Sequence, residues 1–284
     1  MFKKICLVLL CLSSFAFAKI NTIVSIVPQK AFVEAIGGEF VNVEVMVLPG
    51  NSPHSYEPKP SQMKAIDAAQ VYFAIGVEFE EAWMKKFANQ NKKMQIVDST
   101  KGIKKLLMKE DEHHHEGKKG HQHTGFDPHT WTSPENIKII ASNILQTLIA
   151  QDAEHKAQYQ ANYEAFCSKI DAVDTQIRAI LKDVPSETKF MSFHPSWGYF
   201  AQYYGLVQIA IEVEGKEPKP KELVMILKEA KEEKVQAIFT QPEFSDKSAK
   251  RIADELKINV IKATPLSLEW DQSLLELAKA IAKK

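Results

Sequence analysis

Three histidines of this chain each lie beside a proline in a short, distinctive loop sequence. His54 lies in Pro-His-Ser-Tyr-Glu-Pro, His129 in Asp-Pro-His-Thr-Trp, and His194 in His-Pro-Ser-Trp-Gly-Tyr-Phe. Proline fixes its own φ and restricts the residue before it, so these loops are expected to hold their histidines in few conformations. Imidazole is the commonest ligand for borderline transition metals, and three imidazoles with one open position suit zinc. The three side chains are therefore candidate metal ligands.

A separate histidine-rich run occupies residues 111–124. It contains five histidines, three acidic residues and two glycines, and it has no residue suited to a hydrophobic core. This composition predicts a mobile loop that either only keeps the chain in solution or binds additional zinc at modest affinity, and histidine-rich tracts favour the second role. The candidate accessory ligands are His113, His114, His115, His121 and His123.

The first eighteen residues have the features of an export signal. Lys3 and Lys4 precede an apolar run over residues 5–12, and Ala16 and Ala18 are the small residues that a signal peptidase requires. The apolar run is too short to span a bilayer. We predict cleavage after Ala18 and a mature chain that begins at Lys19 in a periplasm.

Composition limits the possible partners. The full chain has 36 basic and 36 acidic residues, and loss of the two signal lysines leaves a net charge of −2. Such a chain lacks the basic face that nucleic acid requires, so no nucleic-acid partner is expected. Cys167 is the one cysteine outside the signal, so no internal disulfide is expected. The mature chain is longer than one hydrophobic core usually organises, which favours two domains. We also expect a soluble monomer.

Short β-rich runs alternate with helical stretches in both halves of the chain. This alternation predicts an α/β fold with two lobes, each containing a parallel four-stranded sheet flanked by helices. The predicted strands are residues 20–27, 41–48, 71–75, 94–97, 189–192, 207–211, 237–240 and 259–261.

Two helical stretches without an internal glycine separate the halves. Ser133-Pro134-Glu135 resembles an N-cap with proline in the first turn, and it begins a helix that extends to about residue 150. Residues 153–182 carry a continuous apolar stripe with spacings of three and four. We predict an N-terminal metal-binding lobe over residues 19–152, one long rigid connecting helix over 153–184, and a C-terminal lobe over 185–284.

This division places His54 and His129 in the first lobe and His194 in the second. Ligands of open α/β sheets bind outside the carboxyl ends of the strands, so a shared metal would lie in the cleft between the lobes. A ligating histidine usually donates its other ring nitrogen to a carboxylate or a carbonyl. The candidate acceptors are Glu57, Asp127, Glu212 and Glu243, and the candidate aromatic walls are Tyr56, Trp131 and Trp197.

From residue 20 onward the chain resembles the solute-binding proteins of zinc ABC importers, the ZnuA-type branch of a family that also includes manganese binders. The three histidine motifs carry this resemblance, together with the Tyr-Gly-Leu sequence that follows the third. The resemblance implies two α/β lobes, one long connecting helix, and a metal in the interlobe cleft held by His54, His129 and His194. It also implies Zn²⁺ as the transported ligand, and an inner-membrane ABC permease with its cytoplasmic ATPase as the partner.

The chain departs from this family at two positions. Many relatives supply a carboxylate from a loop after the last strand, where this chain has Thr264, and some supply a glutamate just before the first histidine, where it has Pro53. Loss of a hard oxygen ligand shifts the preference from manganese toward zinc. Water is then the expected fourth ligand.

Other functions are compatible with three histidines and one metal. A zinc hydrolase or hydratase uses the same ligands, but the sequence has no His-Glu-x-x-His helix, glycine-rich phosphate loop or nucleophile elbow. We therefore predict a binding protein and not an enzyme. Import of manganese or iron by the same fold, and a periplasmic metallochaperone or zinc buffer, are the remaining alternatives.

Overall fold

The computed structural model describes residues 19–108, 125–213, 215–235 and 237–283. The predicted signal segment and the histidine-rich run, with its five candidate accessory ligands, lie outside the described residues. Within the described residues, eight strands form two four-stranded sheets, and every strand pairing is parallel. No helix in these ranges is both long and apolar enough to cross a membrane.

The N-terminal lobe is built on a sheet with the strand order β2-β1-β3-β4. Its strands are β1 (Ile20–Val24), β2 (Val41–Val45), β3 (Val71–Ala74) and β4 (Gln95–Asp98). Its helices are α1 (Val27–Gly37), α2 (Pro60–Ala68) and α3 (Glu78–Gln90). The central strands β1 and β3 are almost entirely buried, as expected for a parallel sheet covered by helices.

The C-terminal lobe repeats the same topology with the strand order β6-β5-β7-β8. Its strands are β5 (Lys189–Ser192), β6 (Val207–Ala210), β7 (Ile238–Thr240) and β8 (Val260–Lys262). Two helices, α4 (Pro134–Gln151) and α5 (Lys156–Leu181), lie between β4 and β5 along the chain. The helices that follow β5 are α6 (Gly198–Tyr204), α7 (Pro220–Glu232), α8 (Lys247–Leu256) and α9 (Trp270–Ala282), and α9 packs mainly against α5.

Helix α5 is the long helix predicted between the two sheets. Its buried residues follow the predicted apolar stripe, at Tyr159, Phe166, Ile170, Val173, Ile177 and Leu181. The predicted two-lobe α/β fold class is confirmed. The residue boundaries assigned above to the lobes and the connecting helix stay a prediction.

The main hydrophobic core is shared between the lobes. It contains residues of β1, β3, α1, α4 and α5, and it continues into β5, α6 and α9. Adjacent residues of β5 point to opposite faces of its sheet, so Phe190 joins this shared core while Met191 joins a second cluster under α7 and α8. The C-terminal lobe is therefore tied to the N-terminal lobe on one face and packs independently on the other.

Glu80 is a buried carboxylate at the carboxyl edge of the N-terminal sheet. Its Oε1 accepts a hydrogen bond from the Ser25 hydroxyl and one from the Ile75 amide at 2.9 Å, and its Oε2 accepts from the Gly76 amide at 2.8 Å. The Ser25 hydroxyl also contacts the Tyr72 hydroxyl at 2.8 Å. Burial outweighs these hydrogen bonds and raises the pKa of Glu80 to about 7.

This raised pKa predicts a pH-dependent stability. The folded state holds the Glu80 proton more tightly than the unfolded state, so the contribution is complete below the ordinary carboxyl pKa and is lost as pH rises through about 7. Relative to Glu80→Gln, the metal-free wild-type protein should lose about 2 kcal/mol of unfolding free energy between pH 5 and pH 8. Urea unfolding of both proteins at several pH values measures this difference. If the unfolding free energies of the two proteins changed by the same amount between pH 5 and pH 8, this prediction would be wrong.

Candidate metal centre

The three candidate histidines meet at one point between the lobes. His54 lies in the loop between β2 and α2, His129 immediately precedes the short 3₁₀ helix Thr130–Thr132 that leads into α4, and His194 follows β5. One ring nitrogen from each lies within 4.8 Å of the others. His129 and His194 are buried, and His54 is partly exposed. The structure thus brings together the residues that the sequence motifs indicated.

Two of these histidines are held by buried carboxylates. His129 Nδ1 lies 2.8 Å from Asp127 Oδ1, and His194 Nδ1 lies 2.8 Å from Glu212 Oε1. A carboxylate accepts a hydrogen bond, so each Nδ1 is assigned as the protonated donor and each Nε2 keeps its lone pair. Asp127 and Glu212 were both among the acceptors expected from the sequence.

The carboxylate beside His54 is not one of the four candidate acceptors. Glu57, its neighbour in sequence, is exposed, whereas His54 Nδ1 lies 2.8 Å from Oε2 of Glu78 in the first turn of α3. The contact is close but poorly aligned for a hydrogen bond. Burial alone would raise the pKa of Glu78, but His54, a backbone hydrogen bond and His129 together lower it from its usual value. Glu78 could have been found from the sequence, because it is an acidic residue in the first turn of the helix that follows β3.

The Nε2 atoms of His129 and His194 face each other at 3.3 Å. Because both Nδ1 atoms donate to carboxylates, two lone pairs meet at this point, and they repel unless a cation lies between them. Two nitrogen ligands on a tetrahedral zinc, each 2.0–2.1 Å from the metal, are separated by about 3.3 Å. The spacing therefore matches a zinc site.

His194 is already in the form that binds metal. Its burial lowers its pKa to about 4, although the hydrogen bond with Glu212 acts in the opposite direction. A metal ligand must be the neutral imidazole. At neutral pH, His194 therefore has no proton to lose when a metal binds.

Gln241, immediately after β7, fixes the loop that carries His194. Its Nε2 lies within hydrogen-bond distance of the His194 carbonyl at 2.8 Å, Ser196 Oγ at 2.9 Å and Ser192 Oγ at 3.0 Å. Its Oε1 accepts from the His194 amide at 3.3 Å. Gln241 is buried, so these contacts are shielded from water. Sequence reasoning missed this residue, which lies 47 positions from His194.

Contacts across the cleft hold the His129 loop. The Asp127 carboxylate also accepts from the His129 amide at 2.8 Å, and the Asp127 carbonyl accepts from the Tyr199 hydroxyl of α6 at 2.9 Å. The Trp131 indole donates to the Pro265 carbonyl at 2.8 Å. The position of His129 thus depends on both lobes.

A cavity opens over the three histidines. Its lining residues are Pro53, His54, His129, Trp131, His194, Ser196, Gln241, Glu243, Phe244, Pro265 and Leu266. Trp131 is thus the wall residue among the three predicted aromatics, while Tyr56 and Trp197 are buried away from this lining. The hydroxyl of Thr264 accepts from the Leu266 amide at 3.1 Å instead of lining the cavity.

Comparison with known proteins decides the family. The family model described as zinc-uptake complex component A, periplasmic, matches residues 23–283. The chain belongs to this family. Membership of the zinc-uptake component A family confirms the resemblance drawn from the three histidine motifs.

Solved structures of the zinc-uptake component A family share the fold. A crystal structure of ZnuA is 39% identical, covers 93% of this chain and 98% of that chain, and gives a TM-score of 0.85. An internal-deletion mutant of ZnuA with zinc bound is also 39% identical, covers 93% and 97% of the two chains, and gives a TM-score of 0.84.

Curated relatives are more distant. A putative metal-binding protein of Chlamydia trachomatis is 27% identical over 92% of this chain and 90% of its own length. The zinc-binding protein AdcA of Streptococcus pyogenes is 28% identical over 88% of this chain. The chain spans about half the length of AdcA, because the match covers 51% of that protein.

Gly198 at the start of α6 offers a test of how the site is supported. A Cβ atom at this position would lie 2.6 Å from Asp127 Oδ2. Gly198→Ala should therefore displace the Asp127 carboxylate from His129 and weaken zinc binding by about 10- to 100-fold, with little loss of stability because only a side-chain end must move. Competition with a zinc chelator measures the affinity.

Gly125→Ala is the matched control for this substitution. Gly125 lies two residues before Asp127, and a Cβ atom there would meet nothing within 4 Å. This variant should bind zinc as the wild-type protein does. Equal affinities for the two alanine variants would show that the placement of Asp127 does not matter for metal binding.

Proposed function

We propose that this chain captures Zn²⁺ outside the cytoplasm through His54, His129 and His194, and delivers it to an inner-membrane ABC permease driven by a cytoplasmic ATPase. One observation carries the proposal: two Nε2 lone pairs, fixed by carboxylates behind them, face each other at the spacing of zinc ligands. Membership of the zinc-uptake component A family supports zinc as the cargo and a membrane permease as the partner.

The chemistry of the three donors supports zinc over manganese. Three neutral imidazoles at tetrahedral spacing suit zinc, whereas manganese prefers carboxylate, carbonyl and water oxygens. Among the described residues, the group of mutually close ligand atoms contains the three histidines and no carboxylate. Each imidazole has a carboxylate beside its other nitrogen, which raises the basicity of the ligand.

Competition between metals tests the proposed cargo. Metal-stripped full-length mature protein should be offered zinc, manganese and iron together and then analysed after gel filtration. We expect one zinc per chain and little of either competitor. Equal retention of manganese or iron would contradict the proposed selectivity.

Uptake experiments separate an importer from the other functions. If the chain delivers zinc to a permease, its deletion should lower zinc accumulation in zinc-poor medium only when the permease is present. A periplasmic zinc buffer would act without a permease. A hydrolase or hydratase would turn over ester or carbon dioxide when loaded with zinc, and we propose that this protein does neither.

We also propose that the chain acts as a soluble monomer without a nucleic-acid partner, after export and cleavage following Ala18. The small residues at positions 16 and 18 support this cleavage point. Mass spectrometry of the exported protein should give an N-terminus at Lys19. A different N-terminus, or a lipid-modified one, would contradict this processing.

We propose an accessory role for the run at residues 111–124, in which His113, His114, His115, His121 and His123 bind zinc more weakly than the cleft does. The composition supports this role, because the run is rich in histidine and acidic residues and has no residue suited to a hydrophobic core. Deletion of residues 112–123 should therefore leave one tight zinc site and remove weaker ones in calorimetric titrations. Loss of the tight site would instead place these histidines in the primary ligand set.

A further inference from the structure

The loop between β7 and α8 covers the metal centre. Phe244 in this loop stacks on the His194 ring, with the ring centroids 4.8 Å apart and the planes at 22°. Its ring centroid also lies 6.5 Å from that of His54. The loop begins at Gln241, which clamps the His194 loop. This loop therefore packs closely on His194 and its loop, and it also approaches His54 from the other lobe.

In sequence, Glu243 lies between Gln241 and Phe244, and its side chain lines the same cavity as the three histidines. The other carboxylates beside the site, Glu78, Asp127 and Glu212, each lie against an Nδ1 atom. Among the described residues, Glu243 is the one carboxylate in the cavity lining, and it forms no ion pair there. Burial raises its pKa, as expected for a carboxylate without a nearby cation.

The position of Glu243 relative to the histidines limits its possible role at the metal site. Its carboxylate is outside the group of ligand atoms that lie within 4.8 Å of one another, so it stands beyond direct ligation of a metal held by the three nitrogens. Three histidine ligands leave the fourth tetrahedral position open. Pro265 and Leu266 present largely apolar surface on another part of the wall. A ligand in that position therefore has Glu243 as its one anionic neighbour in the lining.

We propose that Glu243 holds the fourth ligand of the cargo metal, a water molecule, by accepting its hydrogen bond. A metal-bound water is a strong donor, and a carboxylate is a strong acceptor for it. The negative charge also favours a divalent cation and disfavours an anion in the open position. Glu243 is thus a positioning residue that reserves the fourth position for water.

This inference rests on the three-histidine site of the proposed function, and its test uses the full-length mature protein. Glu243→Gln, which keeps the shape and removes the charge, should lower zinc affinity about tenfold in chelator competition. In the cobalt-substituted protein, the same variant should bind azide about tenfold more tightly than wild type, followed by the visible absorption of the metal. Glu57→Gln is the matched control, because Glu57 is exposed and outside the cavity lining.

The two measurements distinguish the possible failures. If Glu243→Gln matches wild type in both zinc affinity and azide affinity, the assignment of Glu243 is wrong while the three-histidine site stands. If zinc affinity falls but azide affinity does not rise, Glu243 only supports the fold of its loop, and the assignment is also wrong. If wild-type protein lacks a tight zinc site, the proposed function itself fails.

Discussion

His194→Ala is expected to abolish tight zinc binding. Loss of one of three ligands should exceed the 10- to 100-fold effect of losing a supporting contact, so we expect a decrease on the order of 10³-fold or more. His194 is also the ligand that the C-terminal lobe supplies, and its neutral, buried imidazole is ready to bind. Competition with chelators of graded affinity measures the change.

The buried partner of His194 requires a second variant. His194→Ala leaves the Glu212 carboxylate buried without its hydrogen bond, and such a group lowers stability. His194→Ala combined with Glu212→Gln removes that charge and should show the same loss of zinc binding in a well-folded protein. His155→Ala is the matched control, since this histidine lies outside the cavity lining. Tight one-to-one binding by the double variant would show that the second lobe supplies no ligand.

Trp270→Ala is expected to cause the largest loss of stability. Trp270 begins α9, is almost completely buried, and lies 5.8 Å from Phe32 of α1 and 5.8 Å from Phe166 of α5 between ring centroids. Truncation of such a side chain removes apolar contact and leaves a cavity, which costs about 3–5 kcal/mol. The loss falls in the core that joins the two lobes. Urea unfolding of the metal-free protein measures it.

Trp83→Ala provides the comparison for this prediction. Trp83 lies on α3, is only partly buried, and has the ammonium group of Lys86 3.9 Å above its ring. Its truncation should cost clearly less than that of Trp270, because less apolar surface returns to water. Similar losses for the two variants would contradict the view that Trp270 is a principal contributor to the main hydrophobic core.

The sequence predicted the fold because periodicity and β-propensity agree along both halves of the chain. All eight predicted strands are present, but some end earlier than predicted. The strand predicted over 20–27 ends at Val24, because the amides of Ser25 and Ile26 donate to the Gln29 side chain and the chain turns into α1. This is a local capping contact at the start of α1, and hydrophobic patterns do not encode it.

Two contacts of the site could be predicted from the sequence, because one is local and the other joins the ends of neighbouring strands. Asp127 lies two residues from His129, and Glu212 follows the strand beside the one that precedes His194. Glu78 was missed because its approach to His54 depends on how α3 is placed after β3. Phe244 was missed although β7 also lies beside β5, because the path of the loop after β7 decides which of its side chains stacks on His194.

A zinc-edge anomalous difference map of crystals grown from protein loaded with one equivalent of zinc tests the central claim most directly. We expect one strong peak between the lobes, about 2.0–2.1 Å from a ring nitrogen of each of His54, His129 and His194. A principal peak that contacts fewer than three of these histidines, or that lies outside the cleft, would contradict the three-histidine site.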